Sequence, residues 1–63
     1  KLMETVALKE AIEKLDKKEQ AVIYLRYYRG MTQSNTAKIL KVSQVQISRL
    51  ERRAIEQLKK FLA

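Results

Sequence analysis

Four side chains near the start of one predicted helix match the hydrogen-bonding and apolar groups on the edges of base pairs. They are Gln44, Val45, Ser48 and Arg49. Glutamine can pair with adenine, arginine with guanine and serine with several bases, while valine can contact the methyl group of thymine. At roughly 100° per residue, Val45, Ser48 and Arg49 share one arc of the helix with Arg52, opposite Ile47, and Gln44 lies on the exposed first turn. Because an ordinary surface helix more often carries Lys and Glu there, the pattern favours direct base contact.

A second group of residues can contact phosphates. Basic side chains attract phosphate, and the backbone N–H groups at a helix N-terminus donate to it. We expect the phosphate contacts to come from Arg26, Thr32, Gln33, Ser34, Lys38, Arg52 and Arg53. At each of these positions an ordinary solvated side chain is the alternative interpretation.

The positive charge of the chain is concentrated in the same region. The net charge is +7, yet residues 1–20 contain five lysines and five acids, which cancel. Residues 21–40 contain three basic residues and no acid, and residues 41–63 contain six basic residues and two acids. A basic surface of this kind attracts polyanions, of which nucleic acid is the commonest. A solvated lysine-rich surface would show the same balance, so charge alone does not decide.

The composition argues against several other classes of protein. The 63 residues contain no cysteine, no histidine and no glycine-rich loop, so we expect no metal, no cofactor and no enzymatic activity. No apolar run approaches the roughly 18 residues of a membrane span, and no signal peptide is visible. We therefore expect a cytoplasmic, nucleoid-associated protein with no membrane partner and no small-molecule substrate. Because the chain begins at Lys1, we expect residues 1–63 to be a single domain excised from a longer protein.

Helices must position these residues, since the chain has no proline and only one glycine, Gly30. The first helix is predicted over residues 2–15, and Asp16 with Glu19 forms a capping box for the second. The second helix is predicted to end near residue 28, before Gly30. The predicted core residues of these two helices are Met3, Val6, Ala7, Ile12, Leu15, Val22, Ile23, Leu25 and Tyr27.

Residues 32–53 predict a helix-turn-helix. Thr32 caps a third helix over residues 33–40, and residues 41–42 make the turn. Ser43 with Gln46 caps a fourth helix that continues unbroken from residue 44 to about 62. The predicted buried residues are Thr36, Ala37, Ile39, Leu40, Ile47, Leu50, Ala54, Leu58 and Phe61. The predicted fold is therefore an all-α, four-helix domain with a C-terminal helix-turn-helix and a long recognition helix.

Two strings of residues, LRYYRGMTQ (25–33) and SQVQISRLE (43–51), resemble a known family. They look like region 4, the C-terminal, −35-recognising domain of bacterial RNA polymerase sigma factors, and most like the sporulation (forespore) type. The resemblance covers roughly residues 12–63. It implies sequence-specific binding to the −35 element of double-stranded promoter DNA, as part of a sigma factor that directs RNA polymerase in transcription initiation. It also implies a docking surface for the β-flap of the polymerase core and for anti-sigma factors.

The resemblance assigns roles to the same residues. Gln44, Val45, Ser48 and Arg49 occupy base-reading positions of the family. The positions that contact phosphate are occupied by Arg26, Thr32, Gln33, Lys38 and Arg53. Two residues depart from the common pattern: Lys41 replaces a frequent glycine in the turn, and Asn35 replaces a frequent glutamate. A lysine at positive φ costs free energy, so we expect some strain in this turn.

Two other interpretations fit part of the pattern. One is a phage-repressor-like helix-turn-helix regulator, in which further helices follow the recognition helix after turns. The unbroken fourth helix and the two helices that precede the motif favour the sigma factor. The other is a helical protein-interaction module whose basic face binds an acidic partner; it predicts nothing about Gln44 and Ser48.

Overall fold

The computed structural model describes residues 6–62, which form four α-helices and one π-helical segment. Helix α1 is Val6–Glu13 and α2 is Lys17–Ile23, which a π segment, Tyr24–Tyr28, continues. Helices α3, Gln33–Leu40, and α4, Gln44–Leu62, form the helix-turn-helix. The predicted all-α, four-helix architecture with a long last helix is confirmed. Within residues 6–62, no helix is long and apolar enough to cross a membrane.

The two helices of the helix-turn-helix begin at the predicted caps. Thr32 Oγ1 accepts a hydrogen bond of 3.0 Å from the backbone N–H of Asn35. Ser43 and Gln46 form a complete capping box: the Gln46 N–H donates to Ser43 Oγ, and the Ser43 N–H donates to Gln46 Oε1. These bonds satisfy N–H groups that have no partner inside a helix, which is why the two starts could be located from residue types alone.

The start of α2 follows the prediction only in part. Asp16 Oδ1 accepts a bond of 3.0 Å from the Glu19 N–H, as a cap should. In a capping box the Glu19 side chain would accept a hydrogen bond from the backbone N–H of residue 16. Instead, the Glu19 carboxylate is buried and lies 3.6 Å from Arg53 of α4. Gln20 Nε2 donates to the carbonyl of Glu13, the last residue of α1, at 3.2 Å and to the carbonyl of Leu15 in the following turn at 2.8 Å.

Two connections use left-handed backbone. Gly30 has φ of 67° after the π segment, as predicted for the residue that follows a helix. Lys41 has φ of 59° at the end of α3, and within residues 6–62 it is the one non-glycine residue with positive φ. The expected strain therefore lies in the turn of the helix-turn-helix itself.

The core consists of two clusters arranged along α4. One contains Leu8, Ala11 and Leu15 from the N-terminal part, Ile23 from α2, and Ala54 and Leu58 from the second half of α4. The other contains Val22, Ala37 and Ile47, with Leu40, Val42 and Leu50 packed against it. The second half of α4 thus packs on α1, and its first half packs on α3. Helix α2 contributes to both clusters, so it fixes the two halves relative to each other.

The prediction of α1's buried face was wrong at two positions. Val6 is 76% exposed and Ala7 is exposed, whereas Leu8 and Ala11 are buried. Leu8, Ala11 and Leu15 lie on one arc at helical spacing, and α4 covers that arc. Met3 and residues 2–5 of the predicted helix lie outside the described residues.

Three other predicted core residues are more exposed than expected. Ile39 is 52% exposed, because the side of α3 that faces the interior carries Thr36, Ala37 and Leu40. Tyr27 is 38% exposed and Phe61 is 40% exposed. Tyr27 nevertheless donates through its hydroxyl to the buried side chain of Glu51.

The π segment changes the direction of the side chains at the end of α2. The Arg29 N–H donates to the carbonyl of Tyr24, five residues back, at 3.0 Å. The wider π turn rotates successive residues through a smaller angle than the roughly 100° of an α-helix. Arg26 and Tyr27 are therefore closer in direction, and both reach α4.

Candidate nucleic-acid interface

The four predicted base-reading residues lie together on the exposed side of α4. Gln44, Val45, Ser48 and Arg49 are all exposed, and Val45 is 62% exposed although it is apolar. On the opposite side of the same turns, Ile47 is fully buried. We call these four residues the reading face. The reading face points to solvent because the opposite, apolar side of α4 packs on α2 and α3.

Several predicted phosphate-contacting residues flank the reading face. Thr32, Ser34 and Lys38 of the α3 region are exposed. The N–H groups of the first helical turn have no partner within a helix, so those of residues 33 and 34 can donate to an anion. Arg52 and Arg53 are exposed further along α4, and Arg53 also lies 3.6 Å from Glu19.

The side chains of Arg26 and Gln33 are used inside the domain. Arg26 Nε donates to Glu51 Oε1 at 3.0 Å, and its Nη1 donates to the carbonyl of Met31 at 2.6 Å. Gln33 Nε2 donates to the same Glu51 oxygen at 2.9 Å. A phosphate contact from either side chain competes with these bonds, whereas the Gln33 backbone N–H stays available at the start of α3. The two phosphate contacts stay predictions, and the geometry favours the Gln33 backbone over its side chain.

Glu51 is the centre of this internal network. It is 8% exposed, and Tyr27 Oη donates to its second oxygen, Oε2, at 2.5 Å. We call Glu51, Arg26, Tyr27 and Gln33 the Glu51 cluster. It joins the middle of α4 to the π segment and to the first residue of α3, and the partners of Glu51 lie 18 to 25 residues before it in the sequence.

The cluster keeps Glu51 ionised and Tyr27 protonated. Burial would raise the pKa of Glu51, but hydrogen bonds from Tyr27, Arg26 and Gln33 outweigh burial and hold the pKa below its ordinary value. The same bond to Glu51, together with burial, raises the pKa of Tyr27. Charge-assisted hydrogen bonds of this type are stronger than neutral ones, so the cluster stabilises the packing of the π segment and the start of α3 on the middle of α4.

Sequence reasoning did not assign a role to Glu51 or a polar role to Tyr27. One signal was available: Glu51 is an acid between Arg49 and Arg52 on the most basic helix of the chain. An acid there weakens attraction to a polyanion unless it is neutralised by internal partners. Its partners could not be read from the pattern, because they are distant in sequence and depend on the π turn.

A different surface lies at the other end of α4. An apolar groove is lined by Leu8, Ile23, Tyr27, Ile55, Leu58, Lys59 and Leu62. Its walls come from α1, α2, the π segment and the second half of α4. Lys59 is the one charged residue among these lining residues, so the groove can accept an apolar side chain from a partner.

Comparison with protein families gives a match to Sigma-70, region 4, over residues 11–60. This chain belongs to the sigma-70 region 4 family. The match includes the whole helix-turn-helix, the Glu51 cluster and most of α4. It confirms the family resemblance and favours the sigma factor over the phage-repressor-like regulator, since the match also includes the end of α1, all of α2 and the π segment, which precede the motif.

The related curated proteins are sigma factors. The chain is 52% identical over 59 residues to the RNA polymerase sigma-F factor of Priestia megaterium, covering 94% of this chain and 23% of that protein. It is 49% identical over 59 residues to the sigma-F factor of Bacillus subtilis, with the same coverage. It is 40% identical over 58 residues to the B. subtilis RNA polymerase sigma-G factor, covering 92% of this chain and 22% of that protein.

The chain thus spans about a quarter of the length of the curated relatives that it matches. The predicted similarity to sporulation-type sigma factors is confirmed by these relatives. No solved structure gives a significant match to the chain.

Proposed function

We propose that this domain binds the −35 element of promoter DNA and that it is the region 4 unit, residues 1–63, of a sigma factor that directs RNA polymerase to promoters. The observation that carries the proposal is the reading face. Gln44, Val45, Ser48 and Arg49 are exposed on the first turns of α4, where an α-helix can enter the major groove.

Each residue of the reading face can contact a particular group on a base pair. Arg49 donates two hydrogen bonds to a guanine, and Gln44 pairs with an adenine. Val45 contacts a thymine methyl group, which accounts for an apolar residue that is 62% exposed. Ser48 lies between them and donates to or accepts from a base edge. The preferred site therefore contains both A·T and G·C pairs.

Phosphate contacts hold the reading face in the groove. The N–H groups at the start of α3, with Thr32 and Ser34, bind one phosphate wall, and Lys38, Arg52 and Arg53 add positive charge. Arg26 contributes through the Glu51 cluster, since its guanidinium is already hydrogen-bonded to Glu51 and Met31. The proposed function is binding without catalysis, at the nucleoid in the cytoplasm.

The apolar groove is the proposed docking surface for the β-flap of RNA polymerase. It lies at the end of α4 remote from the reading face, so one domain can bind DNA and polymerase together. Replacing Leu62, an exposed lining residue, with serine should reduce retention by polymerase and leave DNA binding unchanged, because it adds no charge to α4 and opens no cavity in the core. Equal retention of both proteins would overturn this docking site. An anti-sigma factor that bound the same groove would compete with polymerase for it.

The DNA-binding proposal is tested with duplexes of known and scrambled sequence. A −35-like site is first selected from a pool of duplexes randomised at six positions, and the 63-residue chain is then titrated with the selected and scrambled duplexes by fluorescence anisotropy. We expect tighter binding to the selected site, against a non-specific Kd of roughly 10⁻⁴–10⁻⁶ M at physiological salt. Equal binding to both duplexes would favour a helical protein-interaction module with a basic face.

A further inference from the structure

We infer that Glu51 is a positioning residue for DNA recognition: through its hydrogen bonds it sets the start of α3 at a fixed distance from the reading face, so that phosphate and base contacts form together. This inference rests on the proposed function and assigns specificity to a residue that is not itself on the reading face.

The geometry supports this role. Glu51 lies two residues beyond Arg49 on α4, and it accepts a hydrogen bond from Gln33, the first residue of α3. Through Arg26 it is also connected to the Met31 carbonyl, in the loop that leads into α3. A shift of Glu51 would therefore move the phosphate-binding end of α3 relative to the base-reading turn.

The charge of Glu51 makes the inference testable. An acid on the DNA-facing helix would by itself weaken binding to every sequence equally. If Glu51 acted only through its charge, any neutral replacement would strengthen binding to all duplexes and leave the sequence preference unchanged. If Glu51 positions α3, the preference depends on whether the replacement can still form the hydrogen bonds.

The experiment compares Glu51→Gln with Glu51→Ala in the 63-residue chain. Both variants lose the same negative charge, but only glutamine retains an oxygen to accept from Arg26 and Gln33. Binding to the selected and scrambled duplexes is measured at low salt, well below the melting temperature of each variant. We expect Glu51→Ala to lose about tenfold in preference, the scale of one misplaced base contact, and Glu51→Gln to stay within about threefold of the original chain.

Two further variants distinguish a general loss of stability from a loss of positioning. Ile12→Val weakens the packing of α1 on the core, away from the Glu51 cluster, and should leave the preference unchanged. Tyr27→Phe removes one bond to Glu51 with no change in charge, and should lower the preference by about threefold. If Glu51→Ala does not fold, Tyr27→Phe and Glu51→Gln decide the matter.

The outcomes separate the inference from the proposed function. If the original chain bound both duplexes equally, the proposed function and the positioning role would both be overturned. A clear preference that is retained by Glu51→Ala, or by a folded Tyr27→Phe, overturns the positioning role alone. Equal losses of preference in Glu51→Gln and Glu51→Ala would also overturn it, since the hydrogen-bonding oxygen that glutamine retains would then make no difference to the preference.

Discussion

The two halves of α4 have opposite surfaces although they belong to one continuous helix. The first half presents the polar reading face to solvent and packs on α3 through Ile47. The second half packs on α1 through Ala54 and Leu58 and lines an apolar groove. One rigid helix therefore connects a polar surface suited to nucleic acid with an apolar surface suited to protein. Glu51, between the two halves, connects α4 to the segments that precede it.

The largest effect, a loss of stability, is expected from a substitution on the buried side of the first half of α4. Ile47→Ala should lower the free energy of unfolding by about 2–5 kcal/mol, because it leaves a cavity at a fully buried position. That is a large fraction of the stability of so small a domain. Urea denaturation followed by circular dichroism measures it. Val45→Ala, two residues away but exposed, should change stability by no more than about 0.5 kcal/mol. Similar losses in both variants would contradict the assignment of the two sides.

A smaller effect is expected on the reading face itself. Arg49→Ala should cost about 1–3 kcal/mol of binding free energy on the selected duplex and relax the preference at one position. Lys38→Ala should weaken binding to all duplexes alike and reduce the salt slope by about one. Anisotropy titrations at several salt concentrations distinguish the two patterns. If Arg49→Ala weakened selected and scrambled duplexes equally, the base-reading role of Arg49 would be wrong.

Acidic pH should weaken the Glu51 cluster, which links the middle of α4 to the π segment and the start of α3. Because the folded-state pKa of Glu51 lies below its ordinary value of 4.5, its contribution to stability is present above that pH and is lost as pH falls through the folded-state value. The difference in unfolding free energy between the original chain and Glu51→Gln should therefore be largest near neutral pH and shrink below about pH 4.5. Urea titrations from pH 3 to 7 measure the difference. A constant difference over that range would show that the carboxylate charge is unimportant to the cluster.

The smallest effects are expected at the two left-handed residues that flank α3. Gly30→Ala places a side chain at φ of 67° and should destabilise the domain by roughly 0.5–1 kcal/mol. Lys41→Gly relieves a side chain at φ of 59° and should stabilise it by up to roughly 0.5 kcal/mol, because glycine's greater freedom in the unfolded chain offsets part of the gain. Thermal unfolding checks the signs, and two changes of the same sign would contradict the backbone argument.

The starts of α2, α3 and α4 could be predicted from sequence because they depend on local hydrogen bonds. Asp16, Thr32 and Ser43 each accept from an N–H three residues later, so the residue type and spacing are sufficient. The left-handed backbone at Gly30 and Lys41 was likewise predicted from turn chemistry and from the family pattern. The exposure of Val45, Ser48 and Arg49 could be predicted from the spacing of apolar residues along α4.

Two features could not be predicted because they depend on distant contacts. Both faces of α1 carry apolar residues, so the pattern alone places Val6 and Ala7 on the buried face together with Ile12 and Leu15. Only packing against α4 selects Leu8 and Ala11. The Glu51 cluster depends on bonds across 18 to 25 residues and on a π turn, neither of which has a periodic signature.

The DNA-binding role of the reading face is tested directly by an NMR titration of the ¹⁵N-labelled 63-residue chain with the selected duplex, in which each backbone amide is followed. We predict that the largest chemical-shift changes fall on the first turns of α4, at Gln44, Val45, Ser48 and Arg49, and on the start of α3. Amides beside the apolar groove, such as those of Leu8 and Leu62, should change little. Changes concentrated along the groove, with the first half of α4 unaffected, would contradict the claim that the reading face binds DNA.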